Sequence, residues 1–103
     1  MTPVQGDVWW AEAEDKRRPV LVVTRSEAVP VLTTILVAPV TRTVRAIPTE
    51  VPLGPDEGLP VECVASVDNL QPIRRSSLTA RVGRLGPDGR HRLCQALRAM
   101  ADC

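Results

Sequence analysis

The chain has 103 residues, 44% hydrophobic and 24% charged, and carries a net charge of +1. That is the size and make-up of one globular domain spanning 1–103; no apolar run is long enough to span a bilayer, and the N-terminus lacks the basic and apolar regions of a signal peptide. Cys63, Cys94 and Cys103 are odd in number and widely spaced, which argues against a disulfide framework or a zinc site and for reduced thiols in a cytoplasmic protein, with the terminal Cys103 open to reagents.

Gly6–Ala11 opens the first strand, with Val8, Trp9 and Trp10 behind a glycine. Glu12–Arg17 reads as a charged loop. Pro19–Thr24 is almost continuously apolar, as in a strand buried on both faces. After a loop at Arg25–Pro30 comes the longest β-like run, Val31–Val40, rich in Val, Ile and Thr. Thr41–Ala46 is polar and basic and reads as a loop. Pro48–Leu53 is a short strand between prolines, suited to an edge, and Gly54–Gly58 is a turn. Cys63–Leu70 and Ala80–Leu85 are further strands.

The period then changes. Leu93, Leu97, Met100 and Ala101 fall on one helical stripe. Gly86 can serve as N-cap with Pro87 at the first helical position, which predicts a helix over about 87–101. Asp88 and Arg98 complement the two ends of its dipole. The fold class is mainly β with a C-terminal α-helix: a small, highly bent, mostly antiparallel, SH3-like barrel. Without Tyr or Phe, its core must be Val, Leu, Ile and Ala, with one of Trp9 and Trp10 buried and the other free for a dimer interface. So small a core would gain from burial in a homodimer.

Charge is segregated along the chain. Residues 1–15 carry four acids and no base, and residues 50–73 carry five acids and no base. Residues 16–49 and 74–103 each carry a net charge of +5, almost all of it arginine. Arginine suits bidentate phosphate contacts, and bounded basic surface suits a nucleic-acid groove. Lys16, Arg17, Arg42 and Arg45 are the candidate phosphate contacts; Asn69 and Gln71 could read base edges.

If Pro19–Thr24 and Val31–Val40 form an antiparallel hairpin, the start of the first lies beside the end of the second. Arg18 and Thr41 then meet at one rim of the sheet. A fixed cation beside a hydroxyl suits a phosphate in motion. Taken singly, each is an ordinary surface residue at a strand end. The sole histidine, His91, sits on the helix between arginines, so an enzyme with two catalytic histidines is excluded by count.

Five segments together resemble the MazF/PemK (Kid-type) toxins of bacterial type II toxin–antitoxin pairs. These are Gly6-Asp7-Val8-Trp9-Trp10, Arg17-Arg18-Pro19-Val20-Leu21-Val22-Val23, Val37-Ala38-Pro39-Val40-Thr41, Ser66-Val67-Asp68-Asn69-Leu70 and Arg81-Val82-Gly83-Arg84-Leu85 with the helix behind it. The resemblance runs from about residue 5 to residue 101. It implies a CcdB/PemK-like barrel and a homodimeric, metal-free, sequence-specific endoribonuclease (an mRNA interferase) acting on single-stranded RNA. It further implies neutralisation by a MazE-like antitoxin, with no cofactor, and puts Arg18 and Thr41 on the catalytic arginine and threonine. Two departures bear on sequence choice: Glu12-Ala13-Glu14-Asp15-Lys16 replaces a glycine-rich stretch, and Asp68-Asn69 stands where many members have Asp-Gln.

Two other functions fit the same barrel. A CcdB-like toxin poisons gyrase by protein contact through a tryptophan-bearing tail, but here the chain ends Ala101-Asp102-Cys103. A plain nucleic-acid or protein-binding barrel is the third, since fold does not fix function.

Overall fold

The structure is a computed structural model and describes residues 2–13 and 15–102. Glu14, in the charged loop, and the thiol of Cys103 lie outside the described residues. Among the described residues, seven strands and one α-helix follow in order: β1 (Asp7–Ala13), β2 (Lys16–Val22), β3 (Thr34–Thr41), β4 (Glu50–Leu53), β5 (Cys63–Ser66), β6 (Gln71–Arg74), β7 (Leu78–Arg84) and α1 (Pro87–Met100). The sheet runs β4-β5-β3-β2-β1-β7, with β6 beside β3, and every pairing is antiparallel.

The β1–β2 hairpin continues through the segment expected to be a charged loop. Glu12 pairs with Arg17, and Ala13 with Lys16. Backbone hydrogen bonds hold the ladder, and charged side chains tolerate it where both faces reach water. The second strand therefore begins at Lys16 rather than Pro19. β3 begins at Thr34 rather than Val31, because Val29–Val31 turns as a short 3-10 helix. Cys63–Leu70 is likewise not one strand: β5 stops at Ser66, and Val67–Asn69 forms a 3-10 turn.

The interior of β2 is buried on both faces. Leu21 and, just past the strand, Val23 join one apolar cluster with Val8, Ala38, Val51 and Leu53. Val20 and Val22 join another with Trp9, Ile35 and Val37. Helix α1 closes the first cluster with Leu93 and Ala96, while Met100, expected on the buried stripe, is 39% exposed. Leu97, in the same last turn, still packs against the cluster.

Curvature has local causes. Pairing of β1 with β7 shifts register between Val8 and Trp9 and again between Trp10 and Ala11, and each irregularity bends the ribbon. Between β4 and β7, the two sheet ends, the turn Pro55–Glu57 packs against β7. Gly58 lies against the Val82 carbonyl at φ +89, and Gly83 lies against the Glu57 carbonyl. Any Cβ there would strike backbone, so glycine permits the close approach.

Trp9 is 5% exposed, and its indole Nε1 donates to Asp7 Oδ2 at 3.2 Å. The same oxygen accepts from Val4 N at 3.1 Å, and Arg81 Nε lies 3.7 Å from Asp7 Oδ1. A buried carboxylate thus ties the N-terminal segment, β1 and β7 together. Among the described residues, no helix is long and apolar enough to cross a membrane.

Candidate functional site

β3 organises the site because it changes partner along one edge. Thr34–Val37 pair with β6, whereas Val40 and Thr41 pair with Ala65 and Val64 of β5. Pro39, which has no N–H to donate, sits at the change. On the opposite edge β3 pairs with β2 through Val20–Pro39, Leu21–Ala38 and Val22–Val37. The ladder ends there; Arg18 lies two residues before it on β2 and Thr41 two residues after it on β3.

The side chains at that end open into two adjacent pockets. One, of about 270 Å³, is lined by Lys16, Arg18 and Gln71 over Val20, Pro39 and Ile73. The other, of about 200 Å³, is lined by Thr41, Arg42 and Cys63 with Trp10, Pro19 and Leu59. Pro19 and Val40 wall one; Val20 and Pro39 wall the other. The wall between Arg18 and Thr41 is thus a single proline-rich step of the β2–β3 pair.

Arg18 and Lys16 are exposed and have no hydrogen bond or ion pair among the described residues. They are cations without a protein partner, the state in which a phosphate site waits for its ligand. Thr41 is half-buried, and its Oγ1 accepts from Thr43 N at 3.1 Å. That bond fixes the hydroxyl oxygen and leaves its proton free to donate. Arg17 takes another post, its guanidinium 4.7 Å from the centre of the half-buried Trp10 ring, a cation–π distance.

Cys63 shares the Thr41 pocket. Burial pushes its thiol up, Glu57 pushes it the same way, and Arg42 opposes them. A thiol held protonated is a poor nucleophile, so the pocket offers a hydroxyl donor and a cation rather than an attacking group.

Arg45 and Asn69 line neither pocket. Arg45 lies in the loop over residues 42–49, where its backbone N and that of Ala46 donate to buried Glu50 Oε1 at 2.9 and 3.0 Å. Asn69 Nδ2 donates to Ser66 Oγ at 2.7 Å. In the second basic block, Arg75 Nη1 donates to the Val29 carbonyl at 2.8 Å and Arg81 faces Asp7, so two of its arginines brace the fold. His91 is exposed on α1. A wider groove of about 620 Å³ lies between this loop, β4 and α1. Its charged groups are engaged: Glu50 holds loop amides, and Arg92 donates to the carbonyls of Pro48 at 2.7 Å and Ile47 at 3.2 Å. Among the described residues, no three His, Cys, Asp or Glu side chains are grouped to hold a metal ion.

Sequence reading did not select Trp10, Leu59 or Cys63 as pocket walls, nor Val20, Pro39 and Ile73. Strand alternation places Val20 on the face of Arg18; the others arrive from distant strands and turns.

Comparison with known proteins gives concordant matches. Residues 4–101 match the family described as PemK-like, MazF-like toxin of type II toxin–antitoxin system. A Mycobacterium tuberculosis protein named probable endoribonuclease MazF5 is 39% identical over 103 residues, covering 98% of this chain and 94% of the relative. Endoribonuclease MazF3 of the same species is 46% identical over 71 residues, 69% of each chain. The solved Mycobacterium tuberculosis toxin MazF-mt6 superimposes with a TM-score of 0.85 at 38% identity, over 93% of this chain and 96% of the other.

Proposed function

Because the chain belongs to the PemK-like, MazF-like toxins of type II toxin–antitoxin systems, we propose that it is an endoribonuclease that cuts single-stranded RNA without a metal ion, using Arg18 and Thr41. Its relatives named as endoribonucleases support the activity. One observation carries the assignment of residues: an unpartnered arginine and a proton-bearing hydroxyl open on either side of one step of the β2–β3 pair.

RNA supplies its own nucleophile. The 2′-oxygen bonds to the adjacent phosphorus, the bond from phosphorus to the 5′-oxygen breaks, and the products are a 2′,3′-cyclic phosphate and a 5′-hydroxyl. The protein must hold the phosphate and stabilise the extra charge of the phosphorane. Arg18 reaches the phosphate from one pocket with a two-pronged donor, and the Thr41 hydroxyl donates to a non-bridging oxygen from the other. A guanidinium only donates hydrogen bonds, so Arg18 is a poor base. Water at the open rim takes the 2′-hydroxyl proton and returns one to the departing 5′-oxygen, whose charge Arg18 holds.

Lys16, Arg17 and Arg42 flank this path and contact the RNA backbone. The enzyme acts as a homodimer in the cytoplasm, from a single toxin domain over 1–103. Its antitoxin, MazE-like, covers the same basic rim with an acidic segment. The gyrase-poisoning alternative is not favoured, since the relatives this chain matches are named as endoribonucleases.

The test is incubation of the purified protein with a long RNA in EDTA, mapping cut sites and end chemistry. Discrete cuts leaving 5′-hydroxyls, lost in Arg18→Ala, are expected. Absence of cutting on any RNA, or cutting only after added metal, would overturn the reading.

A further inference from the structure

Lys16 is the only lysine among the 13 lysine and arginine residues of the chain. It opens β2, where Lys16, Arg17 and Arg18 are all exposed. Side chains alternate along a strand, so Lys16 and Arg18 share one face and Arg17 takes the other. Two residues of strand set the Cα atoms of Lys16 and Arg18 about 7 Å apart. Arg17 stands over the Trp10 ring. Lys16 and Arg18 line one pocket of about 270 Å³, and neither has a hydrogen bond or ion pair among the described residues.

The two cations are not equivalent. Both attract a phosphate, and the guanidinium holds it with two prongs. Only the lysine, once it has given up a proton, is a nucleophile towards a carbonyl carbon. A phosphate that carries an acyl group on one oxygen would meet a binder and an acceptor in the same cavity. With the phosphate on Arg18, the acyl carbon lies one bridging oxygen from phosphorus, within the sweep of the flexible four-carbon stem of Lys16. Among the described residues no other nucleophilic side chain lines this pocket; Cys63 lines its neighbour. An arginine at position 16 would give the same charge and more donors, but no acceptor for an acyl group.

We propose that Lys16 is a modification site, acylated by a small acyl phosphate that docks on Arg18, and that acylation closes the pocket to RNA. The closure rests on the endoribonuclease reading; the modification does not. The ammonium first gives a proton to water. The amine then attacks the acyl carbon and the N–C bond forms. The bond from that carbon to the phosphate oxygen breaks, and inorganic phosphate leaves with the electron pair and the second amine proton. Nothing is oxidised or reduced. The product is a neutral amide. It removes one of the two free cations and puts an acyl group in the space where Arg18 would take the RNA phosphate. Cutting then falls as acyl phosphate accumulates, without a second protein.

The test is incubation of the purified protein with acetyl phosphate, reading the site and rate of acetylation by peptide mass spectrometry and RNA cutting on the same samples. The wild type should gain an acetyl group on Lys16. That rate should fall about tenfold in Arg18→Ala, and likewise in the wild type under excess inorganic phosphate. A thioester donor without phosphate should modify Lys16 equally fast in both proteins. Cutting by the acetylated wild type should fall about tenfold or more, and the slope of log rate against log salt should weaken by about 0.7. Lys16→Arg, measured against its own untreated rate, should lose nothing on treatment. Lys16 left unmodified, or acetylated as fast in Arg18→Ala or under phosphate as in the wild type alone, would overturn the site. Full cutting by the acetylated protein, or an equal loss in treated Lys16→Arg, would overturn the closure. No cutting by the untreated wild type would defeat the endoribonuclease reading, while the mass spectrum still decides the modification without RNA.

Discussion

The rim around Arg18 and the groove beneath the loop over residues 42–49 both carry charged side chains, and they use them in opposite ways. At the rim, Lys16, Arg18 and Gln71 converge on a pocket with no protein partner among the described residues. In the groove, Glu50 of β4 caps two loop amides and Arg92 of α1 ties two loop carbonyls to the helix. The difference separates arginines that hold the chain from arginines that await a ligand. A sequence lists both alike; only the occupancy of their hydrogen bonds tells them apart.

Substitutions can break or sharpen that contrast. Arg18→Ala is expected to slow RNA cutting by about a hundredfold to a thousandfold, with an unchanged melting temperature, since Arg18 supports nothing in the fold. Single-turnover cleavage and calorimetry on the same sample read both. Thr41→Val should cost about a hundredfold in rate, with Thr41→Ser recovering most of it; a Val variant at full rate would remove the hydroxyl from the chemistry.

On the loop side the cost should appear as stability. Glu50→Ala leaves two loop amides without their acceptor and should lower stability by about 2 kcal/mol, seen as an earlier urea midpoint. Arg92→Ala removes two tethers at the protein surface and should cost about 1 kcal/mol, a fall in melting temperature of about 5 °C in a domain of this size. Its cutting rate should stay near that of the wild type. A fall in rate as large as that of Arg18→Ala would erase the contrast between the two regions.

Much of the fold was legible because its signals are local. Val20 to Val23 announce a strand buried on both faces, and Gly86-Pro87 announces the helix start at the residue where it occurs. Strand ends were less legible. The β1–β2 ladder runs on through Glu12, Lys16 and Arg17, because backbone pairing is indifferent to charge at an exposed hairpin. β6 escaped notice: Gln71-Pro72-Ile73-Arg74 has a single half-buried apolar residue and an internal proline, too little for a periodic signal. The candidate site suffered the same limit. Arg18 and Thr41 could be named from a hairpin and a family resemblance. That Gln71 joins Arg18 while Asn69 turns to Ser66 depends on β6 crossing to β3, and no spacing rule encodes it.

The two tryptophans give the molecule an optical consequence. With no tyrosine or phenylalanine, all intrinsic emission excited near the red edge of absorption comes from two adjacent residues of β1 in unlike surroundings. Trp9 is sealed in the core against a carboxylate, while Trp10 lies under a guanidinium in the wall of the Thr41 pocket. Replacing either one leaves a single-fluorophore protein. The chain with Trp9 alone reports whether the barrel is folded; the chain with Trp10 alone reports changes at the rim of the Thr41 pocket, without any attached dye.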